Sequence, residues 1–154
     1  MLKYKNGLKG KLGITLIEII VGILIILSIA SASLPVLHKT RNKALITKTK
    51  SIIDSIEVAL SVYETDFGDY PEWDGNGSKI LVEVLQGPCN SDRWNGPYIR
   101  FKKKEIDRNG NIIDSWGNPI IYKYPQNEYN NVPFILISPG KDGKIGTEDD
   151  IGNW

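Results

Sequence analysis

The most constraining feature of the sequence is an apolar run that carries one acid. Residues 14–34 are twenty-one residues with a single charge, Glu18. At about 1.5 Å per residue, a helix of that length can span the hydrocarbon core of a bilayer. Four lysines and no acid precede the run, which favours a cytoplasmic N-terminus. The pattern predicts a transmembrane or assembly helix over residues 14–35, behind a short basic segment.

Three interpretations of this N-terminus compete. It could be a secretory signal peptide cut at Ala30-Ser31-Ala32, a plain membrane anchor, or a prepilin-type leader of residues 1–13 that is cut after Gly13. An acid at the centre of a membrane helix costs about 2.5–3.5 kcal/mol on insertion scales, and the first two interpretations gain nothing for that cost. The run is also longer than the roughly 7–15 residues of a signal-peptide core. The third interpretation is therefore favoured.

A cut after Gly13 would give Glu18 a partner. The new amine of Ile14 would be a cation at the edge of the same apolar segment. Glu18 of one subunit could then pair with the Ile14 ammonium of the next subunit. Each charge is costly alone in apolar surroundings, whereas the pair is tolerable. The sequence thus predicts Glu18 as an assembly residue that aligns neighbouring helices.

The rest of the chain predicts an α+β fold with a long N-terminal helix packed on a small antiparallel sheet. Apolar residues continue at helical spacing to Phe67, and Gly68 and Pro71 end the helix. A short helix is expected over residues 79–85, and strands over residues 98–101, 120–124 and 134–137. The dipeptide Asn109-Gly110 predicts a hairpin with a type I′ turn.

Charge and cysteine content exclude several classes. Residues 51–154 carry ten basic and seventeen acidic residues, which argues against a nucleic-acid partner. The lone Cys89 excludes an internal disulfide. No arrangement of residues indicates catalysis, so we do not expect an enzyme.

The C-terminal segment predicts a calcium loop. Four acids fall within nine residues, with glycines between them, so the backbone can fold back and bring Asp142 to Asp149 and Asp150. Clustered carboxylates repel one another unless a cation lies between them, and an oxygen-only ligand set in irregular geometry suits Ca²⁺ better than Mg²⁺. The expected ligands are Ser138, Asp142, Asp149 and Asp150. The alternative is a solvated acidic tail.

Several motifs resemble one family. Gly13-Ile-Thr-Leu-Ile-Glu18 is similar to the processing site of type IV pilins and type II secretion pseudopilins, with Pro35 at the twenty-second position after the cut. Asp114-Ser-Trp-Gly-Asn-Pro119 and the segment from Ser138 to Trp154 resemble the major pseudopilins of type II secretion. The resemblance implies cleavage at Gly13, methylation of Ile14, a type IV pilin-like fold and a calcium site in the C-terminal loop.

The resemblance also implies a function. The chain would be a structural subunit of the periplasmic pseudopilus of a type II secretion system, held before assembly in the inner membrane by a single span, with residues 36–154 in the periplasm. Its partners would be further copies of itself in a helical homopolymer, minor pseudopilins, the inner-membrane assembly platform and prepilin peptidase. Two alternatives remain: a subunit of a type IV pilus or competence pseudopilus, and a secreted calcium-binding protein with a cleaved signal peptide.

Overall fold

The structure is a computed structural model that describes residues 15–75, 77–88 and 91–154, without the side chains of residues 30–39. Gly13, Ile14 and Cys89 lie outside the described residues. The chain divides into two compact units, Met1–Thr40 and Arg41–Trp154. Helix α1, Leu16–Phe67, is 52 residues long and contributes to both units.

In the first unit, the described part of α1 is almost entirely apolar and exposed. Large aliphatic side chains between Leu16 and Ile29 have relative exposures between 46% and 78%. Glu18 is exposed in the first turn of the helix. In the described part of the chain, no helix combines the length and the apolar character that crossing a membrane requires.

The second unit packs the C-terminal half of α1 on a small sheet, as the sequence predicted. Strands β1 (Ile121–Lys123), β2 (Ile135–Ser138) and β3 (Ile151–Gly152) form an antiparallel sheet in the order β1-β2-β3. The register pairs Tyr122 with Leu136 and Ser138 with Ile151. The buried core comes from α1, from the sheet and from helix α2 (Lys79–Gln86).

Helix α1 ends where the sequence predicted. Gly68 adopts a positive φ of 85°, and its N–H donates to the Glu64 carbonyl at 2.7 Å. Glycine adopts this backbone conformation without the steric penalty of a Cβ, which is why it commonly terminates helices. The predicted short helix is confirmed as α2, and two of the three predicted strands are confirmed as β1 and β2.

The strand predicted over residues 98–101 is wrong. The backbone N–H groups of Tyr98 and Ile99 donate to the Leu85 carbonyl, and the Phe101 N–H donates to Gln86 Oε1. These donors therefore satisfy the C-terminal end of α2, where helix carbonyls lack partners within the helix. Because these N–H groups are already bonded to α2, they are not available for the hydrogen bonds of a β-strand. The next regular element is the 3₁₀ helix Lys103–Glu105.

The turn at Asn109-Gly110 exists, but its type differs from the prediction. A type I′ turn requires positive φ at both central residues, and in the described residues only glycines have positive φ. Here the Gly110 N–H donates to the Asp107 carbonyl and the Asp107 N–H donates to the Asn111 carbonyl. Gly110 has a φ of 92°. This is a three-residue hairpin loop, a type I turn followed by a left-handed glycine.

Candidate functional site

The candidate site is the loop that leaves β2 at Ser138 and returns to β3 at Ile151. Its first residues are held by an adjacent turn. The Ser138 hydroxyl is fully buried, donates to Asp114 Oδ2 at 2.7 Å and accepts the Gly140 N–H at 3.2 Å. The Asn118 side-chain amide donates to the Gly140 carbonyl at 2.7 Å. The start of the loop is therefore fixed by Asp114 and Asn118.

Asp114 and Asn118 are the first and last residues of a second turn that repeats the turn at residues 107–111. The Asp114 N–H donates to the Asn118 carbonyl, and the Gly117 N–H donates to the Asp114 carbonyl. The carboxylate oxygen Oδ1 of Asp114 accepts the N–H groups of Trp116 and Asn118 at 2.8 and 2.9 Å. Its other oxygen is free to accept the Ser138 hydroxyl. The sequence contains Asp-x-x-Gly-Asn twice, seven residues apart, and this repeat could have revealed the second turn.

The loop then turns back at Gly140. This residue has a φ of 63°, and a Cβ built on it would lie 2.2 Å from the Asp149 carbonyl oxygen. Only glycine fits a position where two backbone segments approach so closely. The close approach places the 149–150 end of the loop directly against its beginning.

The acids of the loop accept hydrogen bonds from the loop itself. Asp149 Oδ2 accepts the Asp142 N–H at 3.0 Å, and Asp149 Oδ1 accepts the Thr147 hydroxyl at 2.7 Å. These two bonds lower the pKa of Asp149 against a smaller opposing effect of desolvation. Asp142 Oδ1 accepts the Lys144 N–H at 2.8 Å. The structure thus brings Asp142 and Asp149 into contact.

Asp150 differs from its neighbours. Its Oδ2 accepts the Gly146 N–H at 2.7 Å, but its Oδ1 is buried and has no hydrogen-bond partner among the described residues. A buried carboxylate oxygen without a partner is costly unless a cation or water satisfies it. The residues Asp149, Asp150 and Ile151 also line a cavity of about 290 Å³ against α1, together with Lys50 and Trp116.

The types of ligand atom in the loop suit calcium, but the carboxylates lie too far apart to bind one ion together. Ser138, Asp142, Asp149 and Asp150 offer only oxygen atoms, which suits a hard cation. In the described residues, no three side chains among His, Cys, Asp and Glu lie close enough together to hold a metal ion. The Ser138 hydroxyl is also engaged by Asp114. A bound ion would have to draw the carboxylates of Asp142, Asp149 and Asp150 closer together, and their oxygens have further lone pairs besides those that accept the present donors.

The C-terminus is fastened by Asn153, whose role the sequence did not reveal. Its side-chain oxygen accepts the Leu136 N–H at 2.9 Å, and its amide donates to the Phe134 carbonyl and to Glu57 Oε1 on α1. Ile151 is buried, whereas Trp154 remains 43% exposed while stacking on Tyr129 with ring centroids 4.7 Å apart. The end of the loop is thereby tied to both layers of the domain.

Comparison with known proteins identifies the family. Residues 36–154 match the family described as type II secretion system (T2SS), protein G. The chain is 34% identical over 145 residues to the type II secretion system core protein G of Pseudomonas aeruginosa, covering 92% of this chain and 94% of the relative. It is 37% identical over 142 residues to core protein G of Escherichia coli K12, covering 92% and 90%.

A solved structure agrees with these relatives. The crystal structure of the major pseudopilin from the type 2 secretion system of enterohaemorrhagic Escherichia coli aligns with a TM-score of 0.54 at 29% identity. The alignment covers 77% of this chain and 89% of that one. Sequence and fold agree that the chain belongs to the type II secretion system protein G family, the major pseudopilins.

Proposed function

We propose that this protein is held in the inner membrane, processed after Gly13 and then assembled as the structural subunit of the periplasmic pseudopilus of a type II secretion system. The observation that carries the proposal is the family match over residues 36–154, on a long helix packed against a three-stranded sheet. The proposed role is structural and includes no catalytic step. It also includes interactions with minor pseudopilins, the assembly platform and prepilin peptidase.

The family match favours type II secretion over a type IV pilus or a competence pseudopilus. Membrane storage is supported by the apolar surface of α1. Between residues 16 and 29 its aliphatic side chains are exposed around the helix, and such a surface requires lipid or other helices to cover it. Both coverings occur in the proposed life cycle, first the bilayer and then neighbouring subunits.

The first test concerns processing at Gly13. The basic leader and the apolar segment behind it favour a cut before Ile14, so Gly13→Arg should leave the precursor uncut and abolish secretion by the system. N-terminal sequencing of the wild-type protein should begin at Ile14. A mature protein that begins after Ala32 would instead indicate a secreted protein released by signal peptidase.

The second test concerns assembly through Glu18. Glu18→Ala should still enter the membrane and be cut, but it should assemble poorly, because the Ile14 ammonium of a neighbour would lack its counter-charge. Breaking a buried ion pair costs about 3–5 kcal/mol. Glu18→Gln is a second variant that keeps the size of the side chain and removes only the charge, so it should also assemble poorly. Fibre yield at the wild-type level from both variants would show that the acid has another purpose.

We propose further that the C-terminal loop holds one Ca²⁺ through Ser138, Asp142, Asp149 and Asp150. The unpartnered Asp150 Oδ1 and the all-oxygen donor set support this proposal. When bound, the ion would neutralise the clustered carboxylates. Asp114 and Asn118 would hold the start of the loop in place, and Asn153 would fasten its end to β2 and α1.

A further inference from the structure

The basic residues after position 50 are concentrated in one short segment. Residues 51–154 contain ten basic residues against seventeen acids, and five of the ten lie between residues 100 and 108. All five side chains are exposed. They are named here the basic edge: Arg100, Lys102, Lys103, Lys104 and Arg108. A cluster of positive charge on an otherwise acidic surface attracts partners of the opposite charge.

The acids of the segment do not neutralise the basic edge. There are two of them, Glu105 and Asp107, which leaves an excess of three positive charges. Glu105 accepts the Lys102 N–H at 2.9 Å, and Asp107 accepts the N–H groups of Asn109 and Asn111. No ion pair among the described residues involves the basic edge. Both acids are therefore engaged by backbone groups rather than by basic side chains.

The backbone beneath the basic edge is fixed to the body of the second unit. Phe101 packs against the hydrophobic core, and its N–H donates to Gln86 Oε1 at 2.5 Å. The Ile113 N–H donates to the Glu105 carbonyl at 2.9 Å. The bases therefore project from a structured segment and form a surface of defined shape, unlike the bases of a disordered tail.

The basic edge lies beside the part of α1 with which the second unit begins. Arg100 and Glu105 line a groove together with Lys48 of α1, and Lys48 lies seven residues after Arg41, the first residue of this unit. Residues 41–50 of α1 contain four bases and no acid, and all four bases are exposed. The positive surface of the edge is therefore continued by the start of α1 in this unit.

The acids of the C-terminal loop lie on the other side of α1. A cavity on that side is lined by Asn42 and Lys50 of α1 and by residues 148–150 of the loop. Successive residues of an α-helix are about 100° apart around its axis, so Lys48 and Lys50 point in nearly opposite directions. The acidic loop and the basic edge are thus separated by α1.

We propose that the basic edge docks on the anionic headgroups of the bilayer in which the chain is stored. This inference rests on the membrane storage in the proposed function, and it adds an electrostatic contact to the apolar one. Each basic residue near an anionic bilayer strengthens binding about fivefold. Because α1 already tethers the unit to the bilayer, docking is an intramolecular step, and a few charges suffice.

The distance along α1 determines how the docked chain lies. Arg41 follows position 35, the end of the predicted span, by six residues or about 9 Å of helix. The headgroup layer extends roughly 5–8 Å beyond the hydrocarbon core, so Arg41 lies beside it. Lys48, which is level with the basic edge, lies about 20 Å beyond position 35. The edge therefore reaches the headgroups when α1 is inclined to the bilayer normal, and docking favours that inclination.

A fluorophore beside the basic edge measures docking in the full chain. In a Cys89→Ser background, Asn109→Cys provides an exposed attachment point next to Arg108. The labelled chain is reconstituted in phosphatidylcholine vesicles with or without phosphatidylglycerol, and lipids with a nitroxide on the headgroup quench the fluorophore on contact. We expect several-fold stronger quenching in the vesicles that contain phosphatidylglycerol. About 1 M salt, where the Debye length is about 3 Å, should remove the difference.

A second label position shows whether the contact belongs to this edge. Asn127→Cys places the fluorophore three residues after Tyr124, whose hydroxyl donates to Asp69 beyond the C-terminal end of α1. Since this end of α1 is remote from Lys48, quenching at position 127 should stay low in both kinds of vesicle. Equally strong quenching at positions 109 and 127 would overturn docking through one edge.

Charge reversal tests whether the lysines of the edge make the contact. Lys103→Glu combined with Lys104→Glu should reduce the quenching at position 109 to its value in pure phosphatidylcholine. Lys141→Glu combined with Lys144→Glu is the matched control, because it makes the same change at two exposed lysines of the C-terminal loop. This control should keep the quenching. An equal loss in both variants would show that net charge, rather than the basic edge, directs the binding.

The outcomes separate this inference from the proposed function. Quenching that depends on phosphatidylglycerol and is lost only in the variant at Lys103 and Lys104 supports docking. A chain that stays in both kinds of vesicle but shows the same weak quenching in both overturns docking and leaves membrane storage intact. A chain that associates with neither kind of vesicle overturns membrane storage itself.

Discussion

The two Asp-x-x-Gly-Asn turns and the C-terminal loop are built from the same residue types, but they satisfy their carboxylates differently. In the first turn, Asp107 Oδ1 accepts the N–H groups of Asn109 and Asn111, both at 2.8 Å. In the second turn, Asp114 Oδ1 accepts those of Trp116 and Asn118. All four donors lie within four residues of the acid, so each turn is complete by itself.

The C-terminal loop has more acids, and the donors of the loop do not reach all of their oxygens. Asp149 accepts an N–H from Asp142, seven residues away, and the buried Asp150 Oδ1 accepts none among the described residues. One unpartnered carboxylate oxygen, Asp150 Oδ1, therefore distinguishes the C-terminal loop from the two turns. The comparison predicts opposite behaviour for acids that look alike in the sequence.

The largest effect is expected when the turn that supports the loop is broken. Asp114 is 5% exposed, and Asp114→Ala would leave the N–H groups of Trp116 and Asn118 and the Ser138 hydroxyl without their acceptor. Each unsatisfied buried group costs about 1–3 kcal/mol, so a fragment of residues 39–154 should lose roughly 3 kcal/mol or more of its free energy of unfolding. Denaturant unfolding measures this loss.

Asp107→Ala is the matched control for that variant. It removes the corresponding acid from the first turn, where the acid is less buried and the bond from the Asn109 N–H is exposed to water, so the expected loss is only about 1 kcal/mol. Equal losses of unfolding free energy in the two variants would show that the second turn does not stabilise the C-terminal loop.

Calcium should give the next largest effect. An ion that binds only the folded state stabilises it by about 2.7 kcal/mol at a hundredfold excess over Kd. Chelation should therefore lower the melting temperature of the 39–154 fragment, and Mg²⁺ should not substitute well, because it demands near-ideal octahedral geometry. Asp150→Ala should remove most of this response.

Asp107→Ala sharpens the calcium test. This variant should keep the full calcium response, because Asp107 uses its oxygens within its own turn. A fragment that melts identically with calcium and with chelator would make the C-terminal loop a solvated acidic segment. Loss of the response in the Asp107 variant would instead contradict the distinction between the two regions.

The parts of the fold that the sequence predicted are those with a local apolar signal. Helix α1 follows from apolar spacing and from Gly68, which ends it, whereas helix α2 and the two longer strands follow from short apolar runs beside turn residues. Strand β3 has two residues and is too short for any alternation to reveal it. It forms because the loop returns to β2, so its existence depends on tertiary structure.

The site was predicted less completely than the fold. Acid and glycine content pointed to Asp142, Asp149 and Asp150, and the structure brings the first two into contact. The supporting residues Asp114 and Asn118 were noticed only as parts of a motif, because their contacts with Ser138 and Gly140 cross 24 and 22 residues of sequence. Such contacts are determined by sheet register, which local patterns do not encode.

The smallest expected effect is a loss of stability at low pH. The first turn and the C-terminal loop each contain a carboxylate whose pKa is lowered. For Asp107, desolvation raises the pKa, but the hydrogen bonds from Asn111, Asn109 and Gly110 together outweigh it. For Asp149, the bonds from Thr147 and Asp142 exceed desolvation. A carboxylate whose folded pKa lies below its unfolded value, about 3.9, stabilises the fold above that value and loses the contribution as pH falls through the folded pKa.

The melting temperature of the calcium-free 39–154 fragment should therefore change little between pH 7 and about pH 5 and fall below about pH 4. Asp107→Asn cannot titrate, so its melting curve should fall less steeply in that window, although its stability at pH 7 should be lower. Asp149→Asn should also make the melting temperature fall less steeply below about pH 4. In addition it should abolish the calcium response at pH 7, which Asp107→Asn should retain. Both acid effects should be small, because these carboxylates are only partly buried and water screens their interactions. If only one variant changes the fall in melting temperature below about pH 4, the other carboxylate has the same pKa in the folded and unfolded chain. Its hydrogen bonds would then fix the shape of the turn without adding a pH-dependent stability.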